Sequence, residues 1–270
     1  MTRRALNVAA VSYLNTIPFL YGLRHSEESA SGLSLPDPAP SKTTLLLSPP
    51  AGCTAAFDER RADIALVPVG GLAAIKDSDF DIVTSWCIGA DGPVRTVVMT
   101  SNSPLKEIKR VWLDSHSNTS VALARVLAAR HWNIAPKWLT LSDYSVLENP
   151  SEGDAFVLIG DKVFEHEGRF ARTWDLAEEW KKYASLPFVF AVWVARKSVT
   201  DEAVAALEES LTLGMERIYE SIIESEFADR PYAYEYLTRN IDFFFDEQKR
   251  QALQRFWDEG LKATLHANPG

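Results

Sequence analysis

Val11-Ser12-Tyr13-Leu14-Asn15-Thr16-Ile17-Pro18-Phe19-Leu20-Tyr21-Gly22 is the point where an apolar run gives way to polar side chains and then to a helical pattern. The residues leading into it, Leu6-Asn7-Val8-Ala9-Ala10-Val11, are short, mostly apolar and bounded by polar neighbours, as in a strand of a sheet covered on both faces. Pro18 suits the first turn of a helix, where its missing N–H costs nothing, with Asn15 or Thr16 as the cap and Gly22 near the expected stop. Unpaired N–H groups at such a strand-to-helix junction attract an anion, because they and the helix dipole point the same way. Ser12, Asn15 and Thr16 add side-chain donors and acceptors at that place. The plainer alternative is that Asn15 and Thr16 only cap the helix.

The same alternation continues outward. Ser26 to Ser41, rich in Ser, Pro and Gly, reads as a surface loop. Thr43-Thr44-Leu45-Leu46-Leu47 reads as a second strand, Ser48-Pro49 as a cap followed by a first-turn proline, and the helix that follows reaches about Arg61. Asp63-Ile64-Ala65-Leu66-Val67 is a third strand that runs into a short helix at Pro68-Val69-Gly70-Gly71. Strand and helix alternating at this spacing imply parallel strands joined by crossovers. Asp81 to Ile88 is a further strand, broken by Gly89-Ala90-Asp91-Gly92-Pro93 where the chain passes between domains, and Val94 to Thr100 resumes the extended pattern.

Arg110 to Asp114 is a strand that opens into the polar run Ser115-His116-Ser117-Asn118-Thr119-Ser120 and then a helix reaching about Trp132. A junction with this many hydroxyls suits a carboxylate, and equally suits a capped helix behind a solvated turn. Lys137 to Leu141 and Ala155 to Ile159 are strands, the second ending at Gly160-Asp161; Asp175 to Ala184 is an amphipathic helix; Leu186 to Ala195 is a long apolar strand that reaches from one domain to the other. Beyond it, helices from Thr200 to about Glu226, Arg230 to Arg239 and Asp246 to Leu265 form a tail without strands, expected to pack back on the first domain.

Composition narrows the functions open to such a chain. Its 270 residues carry a net charge of −9, which repels nucleic acid and anionic membrane surfaces, and no basic run offsets it locally. An anionic ligand must therefore be held by local donors, helix N-termini or an isolated Arg or Lys. No apolar run approaches the ~20 residues needed to span a bilayer. Two cysteines, Cys53 and Cys87, fit reduced, buried residues of a cytoplasmic protein and have no partner at metal-ligand spacing. There is no P-loop, dinucleotide-binding glycine fingerprint, zinc-type histidine pair or nucleophile elbow. Of the five histidines only His116 lies at a candidate junction, and Asp91 and Asp161 are the acidic residues at strand ends.

Six separated segments carry a resemblance in their order along the chain: Ser12-Tyr13-Leu14-Asn15-Thr16 with Pro18 and Gly22, Asp63 to Val69, Gly89 to Val94, Asn118-Thr119-Ser120, Leu158-Ile159-Gly160-Asp161, and Leu186 to Trp193. Together they closely resemble the chorismate dehydratase family of the futalosine route to menaquinone, over nearly the whole chain to about Lys197. The resemblance implies an α/β fold of the type 2 periplasmic-binding-protein kind, two lobes about a central cleft with the helical tail packed on lobe one. The lobes expected are 1–95 with 194–270, and 96–193. It implies that chorismate loses water to give 3-[(1-carboxyvinyl)oxy]benzoate, in the cytoplasm and without a cofactor or metal. Partners are limited to this small molecule, with no nucleic acid or membrane, and a homodimer is kept beside the monomer as the assembly.

Carried over residue by residue, the resemblance puts the family's asparagine at Asn15, its small hydroxyl residue at Thr96 and its Thr-Ser pair at Thr119 and Ser120; we expect Asn15 and Thr96 at the reacting centre, and Ser12, Thr16, Ser48, Gly89, Ser117, Asp161 and Phe188 with Thr119 and Ser120 around the substrate. One position departs from the pattern: Asn118 stands where an arginine often precedes the Thr-Ser pair, so Lys162, Arg95 or backbone donors must neutralise that carboxylate. None of Ser12, Asn15, Thr96, Thr119 and Ser120 titrates near neutral pH, which leaves a carboxylate of the substrate as the expected base. The competing classes are a cytoplasmic small-anion binding or sensor protein of the same fold, and the naphthoate-releasing sister enzyme of the pathway.

Overall fold

The computed structural model describes residues 6–29, 44–114, 117–160, 162–225 and 227–261. The chain opens with β1 (Asn7–Val11), passes through one tight turn at Leu14–Thr16 and continues as α1 (Ile17–Ser29). β2 (Thr44–Ser48), α2 (Pro50–Asp58), β3 (Ile64–Pro68) and the short α3 (Val69–Leu72) complete the alternation, and β1 pairs in parallel with both β2 and β3. Next come β4 (Phe80–Ala90), β5 (Val97–Ser101), β6 (Arg110–Asp114), α4 (Asn118–Val126), β7 (Lys137–Leu141), β8 (Asp154–Ile159), α5 (Lys162–Glu165), β9 (Arg172–Asp175) and α6 (Leu176–Ala184). β10 (Phe188–Arg196), α7 (Asp201–Glu216), α8 (Ile218–Glu224), α9 (Arg230–Glu235), β11 (Asp242–Phe244) and α10 (Glu247–Phe256) finish the described chain, α10 continuing as a wider helical turn to Leu261. No helix among the described residues is long and apolar enough to cross a membrane.

The strands form two sheets, one in the order β11-β4-β10-β3-β1-β2 and the other β7-β6-β8-β5-β9. β10 runs antiparallel to β3 on one side and β4 on the other, and it is buried at every position except Phe190. It belongs to the six-stranded sheet from its first residue, since Phe188 already pairs with Ala90. The chain therefore re-enters this sheet ahead of Phe188, earlier than the strand's length suggested. The outward passage is a turn after Ala90, with Gly92 and Arg95 both at positive φ. Asp175 pins that passage: its carboxylate caps α6 and also accepts the Arg95 N–H at 2.6 Å. Burial pushes the Asp175 carboxyl above its ordinary value, with the backbone hydrogen bonds opposing that rise.

Several local expectations are corrected. Gly22 is no helix stop, because α1 continues to Ser29, while residues 30–41 of the anticipated loop lie outside the described residues. A Cβ at Gly22 would lie 1.8 Å from the Ser210 carbonyl oxygen, and one at Gly214 would lie 1.9 Å from that of Pro18, so the two glycines let α1 and α7 touch backbone to backbone. Ser48 is the last residue of β2, not a cap; the boundary shifts by one residue to Pro49, with Pro50 opening α2. β4 runs unbroken through Gly89 to Ala90. The helix from Thr200 breaks at Arg217, whose φ of −122° is non-helical, and its expected end at Glu226 lies outside the described residues, as do residues 262–265.

The tail is not strandless either. β11 pairs antiparallel with β4 and covers that edge of the six-stranded sheet. The buried Lys249 ammonium holds this junction by an ion pair of 2.5 Å to Asp242. α1 closes one face by setting Phe19 edge-on against Trp193 and Phe243, at 5.8 and 5.3 Å between ring centroids. The end of the tail also reaches across to α6, where Tyr183 donates to Glu259 at 2.6 Å and Arg255 to the Ala184 carbonyl at 2.9 Å.

The glycine contact gives a direct test. Gly22→Ala forces a methyl group into the carbonyl of Ser210 and should cost at least about 2 kcal/mol through overpacking. In a chain of this size, that lowers the melting temperature by at least ~5 °C in a calorimetric scan. An unchanged melting temperature would show that α1 and α7 separate without cost.

Candidate active site

β1 delivers its polar junction to the carboxyl edge of the six-stranded sheet. The Thr16 hydroxyl closes the turn there: Oγ1 accepts from the Tyr13 N–H at 3.1 Å and lies 2.6 and 2.8 Å from the Val11 and Tyr13 carbonyls. Thr16 is thereby committed to shaping the backbone. Asn15, half-buried beside it, makes no side-chain hydrogen bond among the described residues, and its carboxamide stays available to a ligand.

On the opposite side β6 leads into α4. The Ser117 hydroxyl caps the helix by accepting from the Ser120 N–H at 3.2 Å, and the two serine hydroxyls lie 3.0 Å apart. Asn118 and Thr119 occupy the first turn, where amides have no acceptor within the helix. The Thr119 hydroxyl accepts the Gly70 N–H at 3.0 Å, a hydrogen bond between the two lobes. A Cβ on Gly70 would lie 2.6 Å from the Thr119 nitrogen and 2.8 Å from the Asn118 carbonyl carbon. α3 and α4 therefore meet with no side chain between them. Thr96, on the outward passage between the sheets, is buried, and its hydroxyl lies 2.8 Å from the Tyr236 hydroxyl.

Asn15, Thr16, Thr96, Ser117, Thr119 and Ser120 line one cavity of about 80 Å³, together with Tyr13, Pro50, Pro68, Gly160 and Phe190 among others. It has amide and hydroxyl donors on both sides, and among the described residues no acidic or basic side chain lines it. A larger cavity of about 290 Å³ lies on the outer side of Tyr13, lined by Ser12, Tyr21, Arg24, Glu224 and Phe227 among others. Its Arg24 and Glu224 pair with each other at 3.5 Å, and Glu224 also lies 2.6 Å from His25, which is outside the lining. The smaller cavity, where donors from both lobes converge, is the candidate site.

Other expected residues stand elsewhere. Ser12 is exposed and faces the larger cavity. Ser48 packs its side chain toward Gly52, and Gly89 lies between the Asp242 and Phe188 carbonyls, where a Cβ would meet both at 3.0 Å. Phe188 is in the core against Phe256, at 5.0 Å, and Trp180, at 5.5 Å. A bulge between Val189 and Ala191 breaks the strict alternation of β10, and it is Phe190 that reaches the cavity wall. Asp161 and His116 lie outside the described residues. Asp91 ties its turn to Lys181 through an ion pair of 2.7 Å.

Neither cation proposed to replace the missing arginine lines the cavity. Lys162 is bonded to the buried Asp114 at 3.1 Å and to the Tyr144 hydroxyl at 2.5 Å. Partial burial pulls the Lys162 pKa down, but these hydrogen bonds outweigh it and hold the ammonium above the ordinary lysine value. Arg95 lies 3.4 Å from Glu167 and 5.0 Å over the Tyr232 ring. Backbone and side-chain dipoles are what the cavity offers an anion. Sequence reasoning missed Tyr13, which separates the two cavities, and Gly160, whose φ of +64° leaves its missing Cβ 3.9 Å from the Tyr13 ring. It also missed Tyr236, which only the folding of the tail brings to Thr96.

The sequence profile of a family described as menaquinone biosynthesis matches residues 6–261. A protein of Thermus thermophilus named chorismate dehydratase is 26% identical over 217 residues, 72% of this chain and 79% of that protein. Among solved structures, protein AF1704 from Archaeoglobus fulgidus superposes with a TM-score of 0.74 at 14% identity, covering 98% of this chain and 100% of that one. The periplasmic aliphatic sulphonate binding protein SsuA from Escherichia coli gives a TM-score of 0.63 at 15% identity, over 99% and 95% of the two chains. These likenesses establish a two-lobed α/β fold of the periplasmic-binding-protein kind.

The contact at Gly70 sets how closely the lobes approach. Gly70→Ala places a methyl group against the backbone of α4 and should hold the lobes apart. Spin labels on the exposed Glu59 and Lys137 should then report a longer separation than in the unsubstituted protein, at unchanged helix content by circular dichroism. Identical distance distributions would mean that α3 and α4 do not limit closure.

Proposed function

This chain belongs to the menaquinone biosynthesis family, and we propose that its reaction is the dehydration of chorismate to 3-[(1-carboxyvinyl)oxy]benzoate, a hydro-lyase step of the futalosine route carried out in the cytoplasm. The observation that carries this reading is the convergence of Asn15, Thr96 and the first turn of α4 on one cavity. The name of the Thermus thermophilus relative points the same way. Lobe one is the six-stranded sheet with the tail, lobe two the five-stranded sheet, and the substrate lies between them.

The ligand is a dianion in an acidic protein, so its carboxylates go to the first turn of α4, where Thr119 and Ser120 line the cavity, on one side and to Asn15 in the turn at Leu14–Thr16 on the other. The cavity of about 80 Å³ is below the ~300 Å³ at which ligand pockets usually begin, so the cleft opens to admit substrate and closes on it. Closure removes water and strengthens every dipole directed at the charges. In the chemical step, a proton leaves the ring carbon that bears the ether and the neighbouring hydroxyl departs as the ring becomes aromatic. Among the described residues no titratable acid or base lines the cavity apart from Tyr13, and on this reading a substrate carboxylate takes the proton, while Asn15 and Thr96 hold and polarise the reacting centre.

Incubation of the purified protein with chorismate should yield a product lighter by one water, detected by mass spectrometry. Asn15→Ala should lower kcat by at least ~100-fold, the scale of losing one preorganised donor, without changing the melting temperature. Replacing Asp91, Asp161 or His116 should cost less. Binding of chorismate without any loss of water would instead identify a receptor or sensor. An indispensable Asp91, Asp161 or His116 beside a fully active Asn15→Ala variant would make a protein side chain the base.

A further inference from the structure

We propose that Tyr13 is the specificity-determining wall of the site, its ring marking how far a bound aromatic carboxylate can extend, an inference that rests on the dehydration reading above. Tyr13 is the one described residue that lines both cavities, the candidate site of about 80 Å³ and the outer cavity of about 290 Å³. Thr16 fixes its backbone: the Tyr13 N–H donates to Thr16 Oγ1 at 3.1 Å, and the Tyr13 carbonyl accepts the Thr16 N–H at 3.0 Å. The ring edge meets lobe two at Gly160, the residue after β8, where a Cβ would lie 3.9 Å from Tyr13 Cε2. The Gly160 N–H donates to the Thr96 carbonyl at 2.8 Å, and its φ of +64° disfavours any larger residue. Both sides of the partition are thus held by backbone.

The two spaces it divides suit different parts of a ligand. The inner one holds the amide and hydroxyl donors that receive carboxylates. In the outer one Leu14 and Leu20 are buried while Arg24 and Glu224 are exposed, which gives an apolar floor beneath a charged mouth. Joined, the two pass the ~300 Å³ at which ligand pockets usually begin. An aryl group longer than the enolpyruvyl ether would then run from the inner donors onto Leu14 and Leu20, where burial of its ring is favourable. With the Tyr13 ring in place that path is closed. The same ring screens the inner donors from the solvent that reaches Ser12, and dipoles act strongly on a carboxylate only where water is excluded. The bulk of the ring does this work, so phenylalanine serves as well as tyrosine.

Calorimetric titration of the full chain with two benzoates tests the wall: 3-methoxybenzoate, shorter than the reaction product, and 3-(benzyloxy)benzoate, which extends further by a phenyl ring. Tyr13→Ala should bind the long benzoate at least about tenfold more tightly than the unsubstituted protein does, a gain within what burying a phenyl ring yields. Its affinity for the short one should stay within about threefold, less than 1.4 kcal/mol. Tyr13→Phe should keep the preference of the unsubstituted protein. Should Tyr13→Ala fail to fold, Tyr13→Leu opens the same wall and should shift the preference in the same direction. No gain for the long benzoate in either truncated variant, a gain shared equally by the short one, or the same gain in Tyr13→Phe would overturn the wall while leaving the dehydration reading intact. Absence of chorismate dehydration by the unsubstituted enzyme would overturn that reading and this inference with it.

Discussion

Because β10 enters antiparallel between β3 and β4, those two strands never pair with each other, and the six-stranded sheet has no centre until the chain has left it and returned. The outward passage through Gly92, Arg95 and Thr96 and the return ahead of Phe188 follow from that one insertion. So does the site. The five-stranded sheet is built between the two passages, and the carboxyl ends of β1 and β6 are left opposed across a cleft, the position at which open α/β sheets bind ligands. Thr96 lies on the outward passage itself. Asp175, a residue of the five-stranded side, fixes its neighbour Arg95 by a backbone hydrogen bond.

The electrostatic character of the cleft is set by what the protein withholds. The chain carries a net charge of −9, and the nearby cations are already paired, Lys162 with Asp114 and Arg95 with Glu167. Donors in the cavity are dipoles held by the fold: the first turn of α4, the Asn15 carboxamide and the Thr96 hydroxyl. Dipoles are weak partners in water and strong ones when water is excluded. The backbone approach of Gly70 to Thr119 is therefore an electrostatic device as much as a steric one, since a side chain at residue 70 would leave space for solvent where the field has to act.

Most strands were legible in the sequence because a doubly covered strand has to be a continuous apolar run, as Ile64 to Val67 and Ala155 to Ile159 are. β9 and β11 were not, being edge strands of four and three residues with charged members, Arg172 and Asp175 in one and Asp242 in the other. Gly22 misled because glycine serves both to end helices and to let two helices touch, and only the partner helix tells which. At the site, the residues that line the cavity are those next to strand ends, where position along the chain nearly fixes position in space. Gly89 and Phe188 were misplaced because the bulge in β10 and the edge strand against β4 lie beyond what a local pattern encodes. Tyr236 is 140 residues from Thr96 in sequence, and no local signal connects them.

The insertion of β10 also imposes an order on biosynthesis. The five-stranded sheet uses only residues 97–175 and has every strand it needs once they have emerged from the ribosome. β3 and β4 of the other sheet, made earlier, must wait for Phe188–Arg196, and β4 keeps one edge uncovered until Asp242–Phe244 arrives. At ordinary elongation rates the lag between β4 and β10 is about 5 to 20 s. During it, apolar strand edges are open to mispairing with other nascent chains. The first lobe in sequence is thus the last to be completed, and its earliest strands are the segment of this polypeptide with the greatest need of a chaperone.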